Sequence, residues 1–119
     1  MTEENRNTFR KNGIDIDTAL ARFAENDGLY LKYFHSFPDD RTYKNFINSF
    51  KADKLWQSQN MLITFIAIVG NLGFNDLYND SRDLLRKVKS NSVSDAIIAI
   101  EKLKQDYSNI INFIKSSDI

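Results

Sequence analysis

At 119 residues, with one Pro, four Gly, no Cys and 16 basic against 16 acidic side chains, the chain fits one domain and has no net charge to draw it toward nucleic acid or anionic lipid. The lack of Cys excludes disulfides, thiol catalysis and thiolate metal sites, and a single His excludes paired-imidazole metal motifs. An apolar fraction of 42% with 13% aromatics argues against disorder, and the scarcity of breakers predicts a mostly helical chain.

Residues 1–12 read as a polar, loosely held tail with no apolar leader. The most apolar run, 61–69, is too short to cross a bilayer, so a cytoplasmic protein without membrane contact is expected. From Gly13 the pattern turns helical. Asp15 or Asp17 can cap a short helix with Ile16, Leu20 and Phe23 on one side, ending near Ala24. Asn26-Asp27-Gly28 breaks it, and Asp27 can cap the next segment. Leu29, Tyr30, Leu31, Tyr33, Phe34 and Phe37 make that segment apolar on more than one face, as in a helix with two neighbours. Pro38 either kinks this helix or opens a new first turn, and Tyr43, Phe46, Ile47 and Phe50 continue the period to about Lys51.

Asp53 is a candidate cap for a long helix, Lys54 to Val69, closed by Gly70-Asn71-Leu72-Gly73. Asn75 or Asp76 starts the next, with Leu77, Leu84, Leu85 and Val88 inward and basic residues in its last turn, where they suit the helix dipole. Ser92-x-x-Asp95 resembles a capping box. It opens a last helix with Ala96, Ile97, Ile100, Leu103, Tyr107, Ile110, Ile111 and Ile114 on its inner side. No stretch alternates with period two, so no strand is expected. Short connections make neighbouring helices antiparallel. The expected fold is all-α: an up-down antiparallel four-helix bundle over residues 13–115, with a short N-terminal helix at one end and a tail at 116–119.

The helix from Lys54 has two faces. At 100° per residue, Leu55, Ser58, Leu62, Phe65 and Val69 fall within about 80° of one another and form the core stripe. Trp56, Asn60, Ile63 and Ala67 form a second stripe about 120° away, with Ile66 between the two and Gly70 beside the second. Either this is the central helix of the bundle, buried nearly all round, or, since each helix of a four-helix bundle keeps one side open, the second stripe is an exposed apolar patch of the kind that contacts other chains.

These segments carry a family resemblance. Gly13-Ile-Asp-Ile-Asp-x-Ala-Leu-x-Arg-Phe-Ala, followed by Leu29-Tyr-Leu, resembles the opening of a histidine phosphotransfer (HPt) domain. Phe50-Lys-Ala-Asp-Lys-Leu through Val69-Gly-Asn-Leu-Gly-Phe74 is similar to the family's central helix and the turn after it. The likeness spans residues 13 to about 115 and implies a helical bundle whose central helix presents a His-x-x-Lys-Gly segment outward, the imidazole shuttling a phosphoryl group between receiver domains. Laid on this sequence, that segment reads Ile63-Thr64-Phe65-Ile66-Ala67. Ile63 stands at the His position and has no lone pair to accept phosphate. Ile66 replaces the Lys, and Ala67 keeps the Gly position small. The resemblance therefore implies a degenerate, pseudo-HPt domain without a phosphoacceptor, cofactor or metal. Its partner-binding residues would be Trp56, Asn60, Ile63, Ile66, Ala67 and Gly70, and its partner a receiver domain, a sensor kinase or a second copy.

Other readings of single residues are weaker. His35 is the one imidazole, and an active phosphotransfer protein would have to use it, but nothing near it repeats the His-x-x-Lys-Gly arrangement. Asp15, Asp17, Asp39 and Asp40 sit where helices start and read as caps. Arg82, Arg86, Lys87 and Lys89 alternate with Asp80 and Asp83, as on a solvated helix face. The aromatics between Tyr30 and Phe50 read as core. A structural homodimer built on the apolar stripe remains the remaining alternative.

Overall fold

The computed structural model describes the backbone of residues 1–119 and every side chain except that of Leu55, so the placement of Leu55 on the core stripe lies outside the described residues. The chain is all-helical, and its first helix begins where none was expected. Thr2 accepts a hydrogen bond from the Asn5 amide at 3.1 Å and caps α1, Glu3–Lys11, which has Glu3 and Glu4 in its first turn and Arg10 and Lys11 in its last. Both ends thus suit the helix dipole. Phe9 is fully buried, with its ring edge-on to Phe34 at 5.0 Å and to Phe113 at 5.9 Å. The loosely held tail expected at 1–12 is therefore corrected to a docked helix. One apolar residue is enough to anchor it but too few to make a periodic pattern.

Helix α2, Ile16–Arg22, is capped by Asp15, which accepts from the Thr18 amide at 3.3 Å. Asp17 instead joins α2 to α1, accepting from Arg6 and Arg10 at 2.8 Å each. Arg10 first, and then Arg6, hold its carboxyl below the usual carboxylate range. Helix α3, Asp27–Ser36, is capped by the Asn26 side chain rather than by Asp27. Pro38 lies in a 3-10 turn, Phe37–Asp39. Asp40 then accepts from the Thr42 amide at 2.8 Å as α4, Thr42–Lys51, begins, so Pro38 separates two helices instead of kinking one.

Helices α4 and α5 (Leu55–Leu72), and likewise α6 (Asn75–Lys89) and α7 (Val93–Ser116), are joined by turns of the same design. Asp53 and Asn91 take left-handed φ values of 58° and 56°, and the next amides, of Lys54 and Ser92, return to Ser49 and Lys87 at 3.0 Å. Asp53 therefore ends α4 and does not cap α5, a correction that follows from the left-handed residue such a helix end favours. Ser92 bonds Asp95 at 2.7 Å and caps no backbone amide, so the capping box is also corrected.

Gly73 ends α5 at φ 78°, and a Cβ there would lie 2.7 Å from the Asp15 carbonyl. The approach is that close because the Asp15 amide donates to the Gly73 carbonyl at 2.8 Å and Ile14 forms an isolated antiparallel bridge to Phe74. This joint holds the start of α2 against the α5–α6 turn. Helix α5 packs along α4 and α6, α6 packs along α7, and α2 and α3 lie against α5. Phe34, Phe46, Leu62, Phe65, Leu84 and Ile100 are buried as expected. Tyr107 is half-buried and stacks on Tyr43 at 3.7 Å. Ile97, expected inward, is 53% exposed. It stands about 60° round the helix from Ile100, past the edge of the buried stripe.

Candidate functional site

Helix α5 contains no ionisable side chain. A charge-free helix usually lies buried all round, yet Trp56 is 76% and Ile63 49% exposed. Asn60 and Ala67 are exposed beside them, and Ile66 and Gly70 are half-buried. On the opposite side Ser58, Leu62, Phe65 and Val69 are buried. The helix is thus divided lengthwise into a core half and an open half that is apolar or uncharged.

Two neighbouring helices frame the lower part of this face. Arg22 of α2 donates to the Gly70 carbonyl. From α6, the Tyr78 ring lies so close to Gly70 that a Cβ there would meet it at 3.1 Å. Arg82 stands over that ring, 5.4 Å from its centroid, a cation–π arrangement. Between these rims is a shallow hollow of about 550 Å³ floored by Ile63, Ile66 and Ala67, with Asp15 and Asn75 at its end. The rims were not singled out in the sequence. Tyr78 and Arg82 carried a signal in their spacing of four, whereas Arg22 reaches Gly70 from 48 residues away and carried none.

The chemistry open to this face is limited. The hydroxyl of Thr64 bonds back to the Asn60 carbonyl at 3.1 Å. No imidazole, carboxylate or amine lies on α5 itself. His35 is exposed on α3, edge-on to Phe34 at 5.1 Å, and does not line the hollow. Among the described residues no cluster of three or more His, Asp or Glu is placed to hold a metal ion. No family model, no curated protein and no solved structure matches this chain.

One buried polar cluster lies elsewhere, between α6 and α7. Asp80 is buried and accepts from Lys102 at 2.8 Å, while Lys102 also donates to Asp106 at 2.9 Å. Among the described residues Asp80 Oδ2 and Ser81 Oγ have no hydrogen-bond partner. Burial, reinforced by Asp106, pushes the Asp80 carboxyl up to about 6. Asp106 is held below the usual carboxylate range, first by the neighbouring Asp80 carboxyl and then by Lys102. A carboxyl raised on folding binds its proton more tightly in the folded state. Its contribution to stability is therefore full below the unfolded value and falls as pH rises through about 6. Asp80→Asn should remove that loss, raising Tm relative to the parent at pH 7.5 by the equivalent of about 1–3 kcal/mol and changing it little at pH 4.5. A lower Tm than the parent at pH 7.5 would show that the ionised cluster stabilises the fold. Asp80 shares the inward register of Leu77, Ser81 and Leu84, so its burial was readable from spacing although it passed as surface charge.

Proposed function

We propose that this chain is a non-catalytic protein-docking module of HPt type, a cytoplasmic component of a two-component phosphorelay. In this reading α4 to α7 form the up-down antiparallel four-helix bundle, α2 is the short helix at one end, and the open face of α5 receives the partner. The observation that carries the proposal is the half-exposed helix without a single charge, anchored by Trp56 and Ile63. Water-exposed apolar side chains of this size, gathered on one stripe, mark contact surfaces, and a large aromatic is the typical hot spot of such a contact. Ile63 at the phosphoacceptor position leaves docking as the activity the face can support. The partner is a receiver domain, a sensor kinase or a second copy of the chain, bound without phosphate passing to it.

The test joins a transfer assay to a binding titration. Incubated with a phosphorylated receiver domain, the chain should acquire no acid-labile phosphate, and His35→Ala should change nothing. In titration with that receiver domain, or with itself by sedimentation, Trp56→Ala should weaken association by roughly 30-fold, about 2 kcal/mol. Labelling that disappears in His35→Ala would replace this reading with an active phosphotransfer protein, and association indifferent to Trp56→Ala would remove the α5 face as the contact.

A further inference from the structure

We propose that the open face of α5 is a homodimer interface: two copies pair α5 against α5 in antiparallel fashion, and Trp56 of each copy enters the hollow beside Gly70 of the other. The inference rests on the docking reading of this face and commits it to one partner, a second copy of the chain.

The face has the periodicity of a helix–helix seam. Trp56, Asn60, Ile63, Ala67 and Gly70 succeed one another at intervals of four, three, four and three, the alternation that keeps one stripe of a helix against another. At 100° per residue they fall within about 80° of each other. Gly70 is half-buried and the other four are exposed, and none carries a charge. A charged partner surface would lose its hydration against this stripe and gain no ion pair from α5. A second copy of the stripe brings no charge to bury.

Size decides the direction. Trp56, the largest side chain of the stripe, and Gly70, which has none, stand seven residues to either side of Ile63. With a two-fold axis beside Ile63, antiparallel helices put Trp56 level with Gly70 of the other copy, and Asn60 level with Ala67, to within about 1.5 Å, the rise of one residue. Parallel helices would set the two tryptophans against each other and leave both hollows empty. The antiparallel arrangement pairs large with small at both ends, the self-complementarity that a two-fold dimer requires.

The hollow suits an aromatic ring. Its volume of about 550 Å³ leaves room for an indole above Ile66 and Ala67. The Tyr78 ring borders Gly70 on one side, and Arg22, donating to the Gly70 carbonyl, borders it on the other. A phenol ring and a guanidinium both stack on indole, and Asp15 and Asn75 at the end of the hollow carry oxygens that can accept from the indole N–H. Trp56 is the one tryptophan of the chain, and 76% of it is exposed. The 18 residues of α5 make a strip about 27 Å long and about 10 Å wide. With the rims from α2 and α6 this contact falls at the small end of specific interfaces, so the dimer is weak and reversible, with a dissociation constant of about 10–100 μM.

Sedimentation equilibrium of the full chain between about 10 and 500 μM should show the mass rising from monomer to dimer, with little change between about 50 and 300 mM salt, and Trp56 emission should shift to the blue over the same range. Ala67→Phe enlarges the apolar stripe but fills the hollow, so it should weaken pairing at least tenfold with circular dichroism unchanged. Tighter pairing would mean unspecific apolar contact and would overturn the proposal. Because the chain has no Cys, introduced cysteines report the register. Under mild oxidation an equal mixture of Asn60→Cys and Ala67→Cys should cross-link as the mixed dimer. Neither alone should cross-link, because like residues stand about 10 Å apart along the helix axis, beyond the reach of a disulfide. Cross-linking of each with itself would show parallel pairing and overturn the arrangement. A chain that stays monomeric at the highest concentration yet binds a receiver domain through Trp56 would overturn the dimer and leave the docking reading standing. A dimer indifferent to both Trp56→Ala and Ile63→Lys would remove the α5 face from both.

Discussion

Phe9→Ala is expected to destabilise the domain by about 3–5 kcal/mol, the cost of emptying a fully buried phenyl site. Phe9 has no exposed surface. Its ring sits edge-on to those of Tyr30, Phe34 and Phe113 at 5.0 to 6.1 Å, so its removal leaves three aromatic rings without a partner on one side. Such edge-to-face pairs contribute beyond area alone. The loss also loosens α1, because its side-chain ion pairs to the body, from Arg6 to Asp17 and Glu25 and from Arg10 to Asp17, are largely open to solvent and worth little. Urea unfolding should therefore show a lower midpoint for Phe9→Ala, and amide exchange across residues 3–11 should accelerate further than the global change accounts for. A midpoint shift equivalent to less than about 1 kcal/mol would mean that α1 rests on the surface and that 1–12 is, after all, a tail.

The contrast between α1 and α5 shows what the sequence makes legible. In α5 the buried and exposed stripes are both written in spacing, because a long helix repeats its faces often enough to reveal a period. Phe65 and Ile63 are assigned opposite sides by position alone, and the structure places them so. Helix α1 has one buried residue among nine, so no period exists to read. The information that docks it lies in Tyr30, Phe34 and Phe113, residues distant in the chain. The rims of the α5 face behave the same way. Arg22 meets Gly70 because the Asp15–Gly73 joint holds α2 against the end of α5, a tertiary contact that no local pattern announces. The exposure of Ile97 was equally hidden: periodicity puts it on the inner side of α7, whereas no Cα of α4 comes within 8 Å of a Cα of α7 among the described residues and Ile97 is left open.

The two faces of α5 supply a second large effect. Phe65→Ala should cost about 3–5 kcal/mol, because Phe65 is 1% exposed and packs against Phe37, Tyr43 and Tyr107 at ring separations of 5.8 to 6.4 Å. Ile63→Lys, two positions earlier, should change stability by less than about 1 kcal/mol, as surface substitutions do. Its long stem can lie along the helix while the ammonium stays in water. For association the ranking reverses. A lysine at the centre of an uncharged contact must be desolvated without a partner, so binding through the α5 face should fall by at least 100-fold, about 2.7 kcal/mol. Denaturant titration and the binding titration on the same two proteins separate the effects. If Ile63→Lys unfolds the domain, residue 63 belongs to the core and the docking face does not exist. If it leaves both stability and association unchanged, the partner sits elsewhere. A stable fold with lost association is the outcome this geometry points to, because among the described residues Ile63 is the one large aliphatic side chain on α5 that is half in water, flanked by the exposed Asn60 and Ala67.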